Sequence, residues 1–382
     1  MMLSALLVAM AATLPGDLEG PQPVDSTGTP VEAKAIAPAR ATVFKAAKIY
    51  VGDGTVIENG SIVVQDGVIT QVGAKVETPK GATVVEHDGA ISPGLIALHS
   101  NEGAGGELLD STREVMPEAE ARHAFAPHHS DYRRARQAGI TSLVLAPSSA
   151  NLIGGQSAVV KTAGGKVVKP SAHLAVSVSS DALNFNRFPT SYAGAMKELN
   201  DRFSEPEGAV ARAVSGALPV LVDVNDRAEI GRALGFVKKF QLKGALYGSY
   251  WAEDLAEPIK ESGMAVIATP FDVGDGERQM RSIVALQKVG VRIGFGLDAP
   301  ARHPHSLRLG AAMCVRAGMP ADAARKALTG DAAIIAGIPG RIGRLARGLD
   351  ADIVLWSGDP VALSSAVEGV YIDGKHVFGG EK

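Results

Sequence analysis

From about residue 93 the chain repeats one pattern. A short, near-continuous apolar run is followed by a longer stretch with amphipathic helical spacing. The apolar runs are LIALHS (95–100), TSLVLAP (141–147), SAVVKT (157–162), HLAVSVS (173–179), PVLVDVN (219–225), GALYGS (244–249), AVIATP (265–270) and VRIGFGLD (291–298). Stretches such as SDYRRARQAG, DRAEIGRALGFVKKF and AEDLAEPIKESG lie between several of them. Apolar strands alternating with helices indicate a parallel sheet buried on both faces. Eight such units predict an α/β fold of the (β/α)8, TIM-like type over 93–337.

The flanks have a different rhythm. Residues 42–92 carry ATVFKAAKIYVGDG, GSIVVQDGVITQVG and ATVVEHDG, in which apolar residues alternate around Asp-Gly and Asn-Gly turn signals. This predicts a small antiparallel sheet. After a helical stretch, MPADAARKALTGDAAIIAG, β-like runs return within 338–382 as DADIVLWSGDP and GVYIDGKHVFGG. Neither flank has enough apolar surface to fold alone, so the two are expected to join as one composite β-sandwich domain. Residues 15–41, rich in Pro, Gly, Ala and Thr, read as a flexible lead-in. The opening run MMLSALLVAMAATL is too short to span a bilayer and resembles the apolar part of a signal peptide, with Ala9-Met10-Ala11 as a small-x-small cleavage site. That reading puts the mature chain in the periplasm or outside the cell, without a stable transmembrane segment. The missing basic residues before the run keep a cytoplasmic location as the alternative.

Composition narrows the functional classes. Of 382 residues, 46% are hydrophobic and 21% charged, which suits a globular domain with a sizeable core. Net charge is −3, aromatic residues make up 5%, and there is no basic block, so a nucleic-acid partner is not expected. The single cysteine, Cys314, excludes an intrachain disulfide and any multi-cysteine zinc site; helical spacing around it reads as core.

Four stretches carry a resemblance to a known family. SPGLIALHSNEG, ARQAGITSLVLAPSSANLIGGQSAVVKT, GFGLDAP, and RIGRLARGLDADIVLWSGDP with VYIDGKHVF together resemble the amidohydrolase superfamily, in the branch related to imidazolonepropionase and some metal-dependent dipeptidases. The resemblance implies one or two divalent metals at the carboxyl ends of the strands, which lower the pKa of a bound water. The family pattern places His-x-His on the first barrel strand, a Glu or modified Lys on the fourth, His on the fifth and sixth, and Asp on the eighth. Here His99 and Asp298 match. Asn101 stands where the second histidine is expected, Ser179-Ser180 where the acidic bridge is expected, and Tyr247 where a strand-six histidine is expected. Lys161 is the nearby candidate for a carbamate and otherwise a polar strand-end residue. Asp223 takes the strand-five position and either binds metal through oxygen or caps the helix beginning near Arg227. His303 and His305 have ligand-like spacing on a loop over the barrel mouth, but loop histidines are usually solvated.

Two ligands rarely hold a catalytic metal, since zinc sites use at least three protein ligands. The expectation is therefore a pseudoenzyme: an amidohydrolase fold with a degenerate metal site, reduced or absent hydrolase activity, and no bound metal. Its mouth would bind a small-molecule ligand through Tyr247, Asn101, Gln156 and Asn225. The chain would form homo-oligomers or pair with an active relative. The alternative is a hydrolase of amide or cyclic amide bonds, with His99, Asp223 and Asp298 holding one zinc or other divalent ion and Asp298 as catalytic base.

Overall fold

The computed structural model describes residues 41–248, 251–271 and 277–380. The signal-like run and nearly all of the lead-in lie outside them. Among the described residues no helix is long and apolar enough to cross a membrane.

Strands β1 (Thr42–Tyr50), β2 (Val56–Gln65), β3 (Val68–Gly73) and β4 (Thr83–Pro93) come first. The alternating units follow: β5 (Leu95–Ser100), α1 (Asp131–Gln137), β6 (Ile140–Leu145), β7 (Ile153–Gln156), β8 (Ala158–Lys161), β9 (Val167–Lys169), β10 (Leu174–Ser177), α2 (Tyr192–Ser204), α3 (Gly208–Val214), β11 (Val220–Val224), α4 (Arg227–Phe240), β12 (Gly244–Gly248), α5 (Ala256–Ser262), β13 (Ala265–Ala268), α6 (Glu277–Lys288) and β14 (Ile293–Phe295). Helices α7 (His305–Arg316), α8 (Ala321–Leu328) and α9 (Gly330–Ile335) lead to β15 (Ile353–Trp356), β16 (Val367–Ile372) and β17 (Lys375–Gly379).

The flanking strands make one seven-stranded sheet in the order β17-β16-β15-β4-β1-β2-β3. This corrects two expectations. There is one sheet rather than a sandwich, and it is mixed, because β1 pairs antiparallel with β2 but parallel with β4. Apolar alternation specifies which face a side chain takes but not which neighbour the strand pairs with, so the pattern carries no pairing information.

The alternating units form a TIM-barrel-like α/β layer in two arcs, β5-β6-β8-β9 and β14-β13-β12-β11-β10-β7, whose strand ladders do not close into one continuous sheet. The expected third strand is the main departure. SAVVKT runs antiparallel to β6, and the preceding IGGQ runs antiparallel to β10. One extended segment, 153–161, thus supplies β8 to one arc and β7 to the other. Its change of partner falls at Ser157, whose backbone and hydroxyl are tied to His173. At the opposite seam Leu297 N donates to His99 O at 2.8 Å and Asn101 N to Ala299 O at 2.8 Å. Every residue of β6, β11 and β13 is buried, as strands covered on both faces require.

The helices start where local chemistry dictates. Asp226 caps α4, its carboxylate accepting from Glu229 N at 2.8 Å. The cap is therefore Asp226 and not Asp223, whose side chain faces the barrel mouth. Glu229 is itself buried, and its carboxylate accepts from Asn225 N, Ser180 N and Tyr192 Oη at 2.6–2.8 Å. That carboxylate fixes the loops after β10 and β11. Cys314 is buried in α7, where burial pushes its thiol up to about 12, so it packs as core.

Candidate functional site

The ends of β5, β11, β12 and the turn after β14 meet at the mouth of the two arcs. His99 sits near the end of β5 and Asp298 three residues beyond β14. His99 Nδ1 lies 2.9 Å from Asp298 Oδ1. Tyr247, on β12, donates its phenolic proton to the same Asp298 oxygen. Its ring stacks on the imidazole, with centroids 4.0 Å apart and planes within 10°. Gly296 makes room for this stack: a Cβ there would come within 2.9 Å of Tyr247 Cε2 and 3.4 Å of His99 Cβ. Asp298 adopts φ +50°, a left-handed conformation that aspartate tolerates better than most residues.

Electrostatics follow from these contacts. Burial works against ionisation of Asp298, but hydrogen bonds from His99 and Tyr247, with the imidazole's charge, outweigh it and hold the carboxyl below its ordinary value. A hydrogen bond to that carboxylate requires the proton of a neutral His99 to sit on Nδ1, leaving Nε2 as the ring's acceptor. Asp223 is in the opposite situation. Burial pushes it up to about 7, against the Ser179 hydroxyl and the His99 ring. Its Oδ1 is buried without a hydrogen-bond partner.

His99, Asp223 and Tyr247 line one small cavity together with Ser177 and Asn151. The other predicted ligand-binding residues are placed elsewhere. With the amide oriented to donate, Asn101 Nδ2 lies 2.9 Å from Ala146 O and so ties the end of β5 to that of β6. Gln156 is buried, donating to Pro117 O at 3.1 Å and accepting from Ser171 and Arg212. Asn225 Nδ2 lies 3.3 Å from Asp181 Oδ2. Neither Gln156 nor Asn225 borders the His99 cavity. His303 and His305 stack on each other at the start of α7, their ring centroids 5.0 Å apart. Lys161 is not placed for carbamate chemistry. Its ammonium is fully buried and lies 2.5–3.0 Å from Asp350, Asp352 and Asp373. Burial alone would depress it, but the three carboxylates outweigh that and hold the ammonium charged.

Sequence reasoning missed Asn151 and Ser177. Ser177 ends β10, in SVSS, and Asn151 lies in the SSANLIGG loop two residues before β7. Position at a strand's carboxyl end is the signal that could have found Ser177.

The donor set can be tested against a divalent metal of the kind the fold implies. Among the described residues no three His, Cys, Asp or Glu side chains come together as a metal-ligand group. A phenol stands over the histidine and donates to the aspartate that would otherwise be ligands. The residues present do not fit a family-type centre, in which at least three protein ligands converge.

Comparison with known proteins agrees with the architecture. Residues 229–377 match the model of the amidohydrolase family. An 81-residue stretch is 36% identical to amidohydrolase tasK of Hapsidospora irregularis; it spans 21% of this chain and 8% of that protein. An amidohydrolase from Thermotoga maritima superposes with a TM-score of 0.78 at 25% identity, over 89% of this chain and all of that one. The A. niger ochratoxinase structure gives 0.57 at 19% identity, over 90% of this chain and 96% of that one. An adenosine deaminase from Xanthomonas campestris with bound zinc gives 0.53 at 16%, over 88% and 92%. Matching family residues from α4 into β17, and a shared fold over nine-tenths of the chain, together support the amidohydrolase superfamily.

Proposed function

We propose that this amidohydrolase-fold protein has reduced or absent hydrolase activity and that its barrel mouth serves to bind a small ligand. The observation that carries this reading is Tyr247. It stands on β12, where the family resemblance places a histidine ligand, and it closes onto Asp298 while stacking on His99. The three side chains satisfy one another. A neutral phenol is a poor zinc ligand and a good hydrogen-bond donor.

One observation favours a second reading, a metal-dependent hydrolase of amide or cyclic amide bonds: the orphaned oxygen of Asp223 beside His99. Elemental analysis separates the two. The full chain is purified without chelator or metal-affinity tag, incubated with zinc and desalted. The pseudoenzyme reading expects substoichiometric metal and no turnover of amides or cyclic ureides above that of the Asp298→Asn variant. Near-stoichiometric zinc that is lost in His99→Ala and Asp223→Ala, together with turnover lost in Asp298→Asn, would establish the hydrolase instead.

A further inference from the structure

The cavity beside His99 is bordered by more hydrogen-bond acceptors than its surroundings satisfy. Asn151 is 2% exposed and Asp223 8%. Both line the cavity, and Oδ1 of each is buried without a partner. The Asn151 amide is oriented by Nδ2, which donates to Asp110 O at 3.1 Å. Its unpartnered atom is therefore the acceptor. His99 lines the same cavity, its Nδ1 engaged with Asp298 Oδ1 at 2.9 Å. The space among them is about 10 Å³, room for about one water-sized group. The rest of the lining mixes Pro147, Ala175, Val176 and Leu221 with Ser148, Ser149, Ser177 and Tyr247.

An unsatisfied buried acceptor is costly, and two around one small space, one of them a carboxylate oxygen, call for one group with at least two donors. A water molecule offers two protons and no charge. A primary ammonium offers three protons and a positive charge opposite the Asp223 carboxylate. We propose that this cavity binds a primary ammonium group, either ammonium itself or the head of a slender aliphatic amine whose stem extends out of this water-sized space. The inference rests on the reading of the barrel mouth as a binding site.

The test uses the full chain, chelator-treated and desalted, at pH 8. Its thermal midpoint is followed as methylammonium, ammonium, potassium or tetramethylammonium chloride is added at matched ionic strength. A ligand that binds only the native state raises the midpoint saturably. The expected result is a saturable rise with methylammonium or ammonium, several-fold larger than with potassium, and none with tetramethylammonium, which has no N–H donor. The rise should be lost in Asn151→Leu. No amine-specific shift up to about 100 mM, an equal shift with potassium or tetramethylammonium, or a shift retained in Asn151→Leu would each overturn the proposal, the first by assigning the cavity to water. If Asn151→Leu does not fold, the discrimination among cations by the unmodified chain decides. Amine binding in a chain that also turns over amides would sink the pseudoenzyme reading and leave this site standing. No amine binding in an inactive chain would do the reverse.

Discussion

Tyr247 does two separable things: its ring stacks on His99 and its hydroxyl donates to Asp298. Tyr247→Phe keeps the first and removes the second. A hydrogen bond to a charged group contributes about 1.5–3 kcal/mol. Asp298 is held below its ordinary value in the folded protein, so its contribution is full above the unfolded carboxyl pKa and is lost as pH falls through the folded one. Urea unfolding should therefore find Tyr247→Phe about 1–2 kcal/mol less stable at pH 7, with the gap to the parent narrowing below about pH 4. A gap that stays constant on acidification would mean that the phenol acts through packing alone.

At the scale of elements, His173 joins three pieces. It leads into β10, its Nδ1 lies 3.1 Å from the hydroxyl of Ser157 where β7 gives way to β8, and its Nε2 lies 2.8 Å from Ile335 O at the end of α9. Full burial pushes it down to about 4. Between pH 6.5 and 4 the unfolded chain then binds a proton that the native state does not, so stability rises with pH across that window. His173→Gln keeps a donor toward Ile335 and has nothing to protonate. It should be less stable than the parent at neutral pH but show a flatter loss of denaturant midpoint from pH 6.5 to 4 than the parent. A slope equal to the parent's would assign the acid sensitivity to other groups.

Much of this level is legible in the sequence. The eight apolar runs all appear as strands because a strand buried on both faces must be apolar throughout. Strand direction is not legible: SAVVKT has the composition of its neighbours but runs antiparallel to β6. The candidate site divides in the same way. His99, Tyr247 and Asp298 can each be named from the run that ends in or near them. That all three touch depends on β12 and β14 converging on β5, which no local pattern encodes. Asn101 and Gln156 have the right residue types for ligand contacts, yet their amides are engaged by backbone carbonyls. Residue type identifies a donor but not what it faces.

For the whole molecule, the decisive contact is Lys161. This fully buried ammonium ends β8 in the strand arcs and meets Asp350, Asp352 and Asp373, which belong to the turns and strand leads of the seven-stranded sheet. Removing one partner from a buried charge cluster costs about 3–5 kcal/mol, because the remaining charges stay desolvated. Lys161→Met should lower stability by that order at pH 7. It should also loosen the junction enough that the sheet unfolds ahead of the arcs, visible as non-coincident near-ultraviolet and far-ultraviolet transitions. The deficit should shrink on acidification, as the orphaned carboxylates protonate. A single coincident transition with an unchanged midpoint would show that other contacts hold the junction.

The two seams between the arcs differ in kind. One is crossed by unbroken main chain, since residues 153–161 feed both arcs in turn. The other is held by hydrogen bonds, and the His99–Asp298 pair lies across it. A brief opening of the molecule has only the second seam to use, and it would part histidine from aspartate while leaving both arcs folded. The amides of Leu297 and Asn101 would then exchange with deuterated solvent earlier than the amides of β11 and β12, and their rate would report how often the mouth of the protein admits a guest.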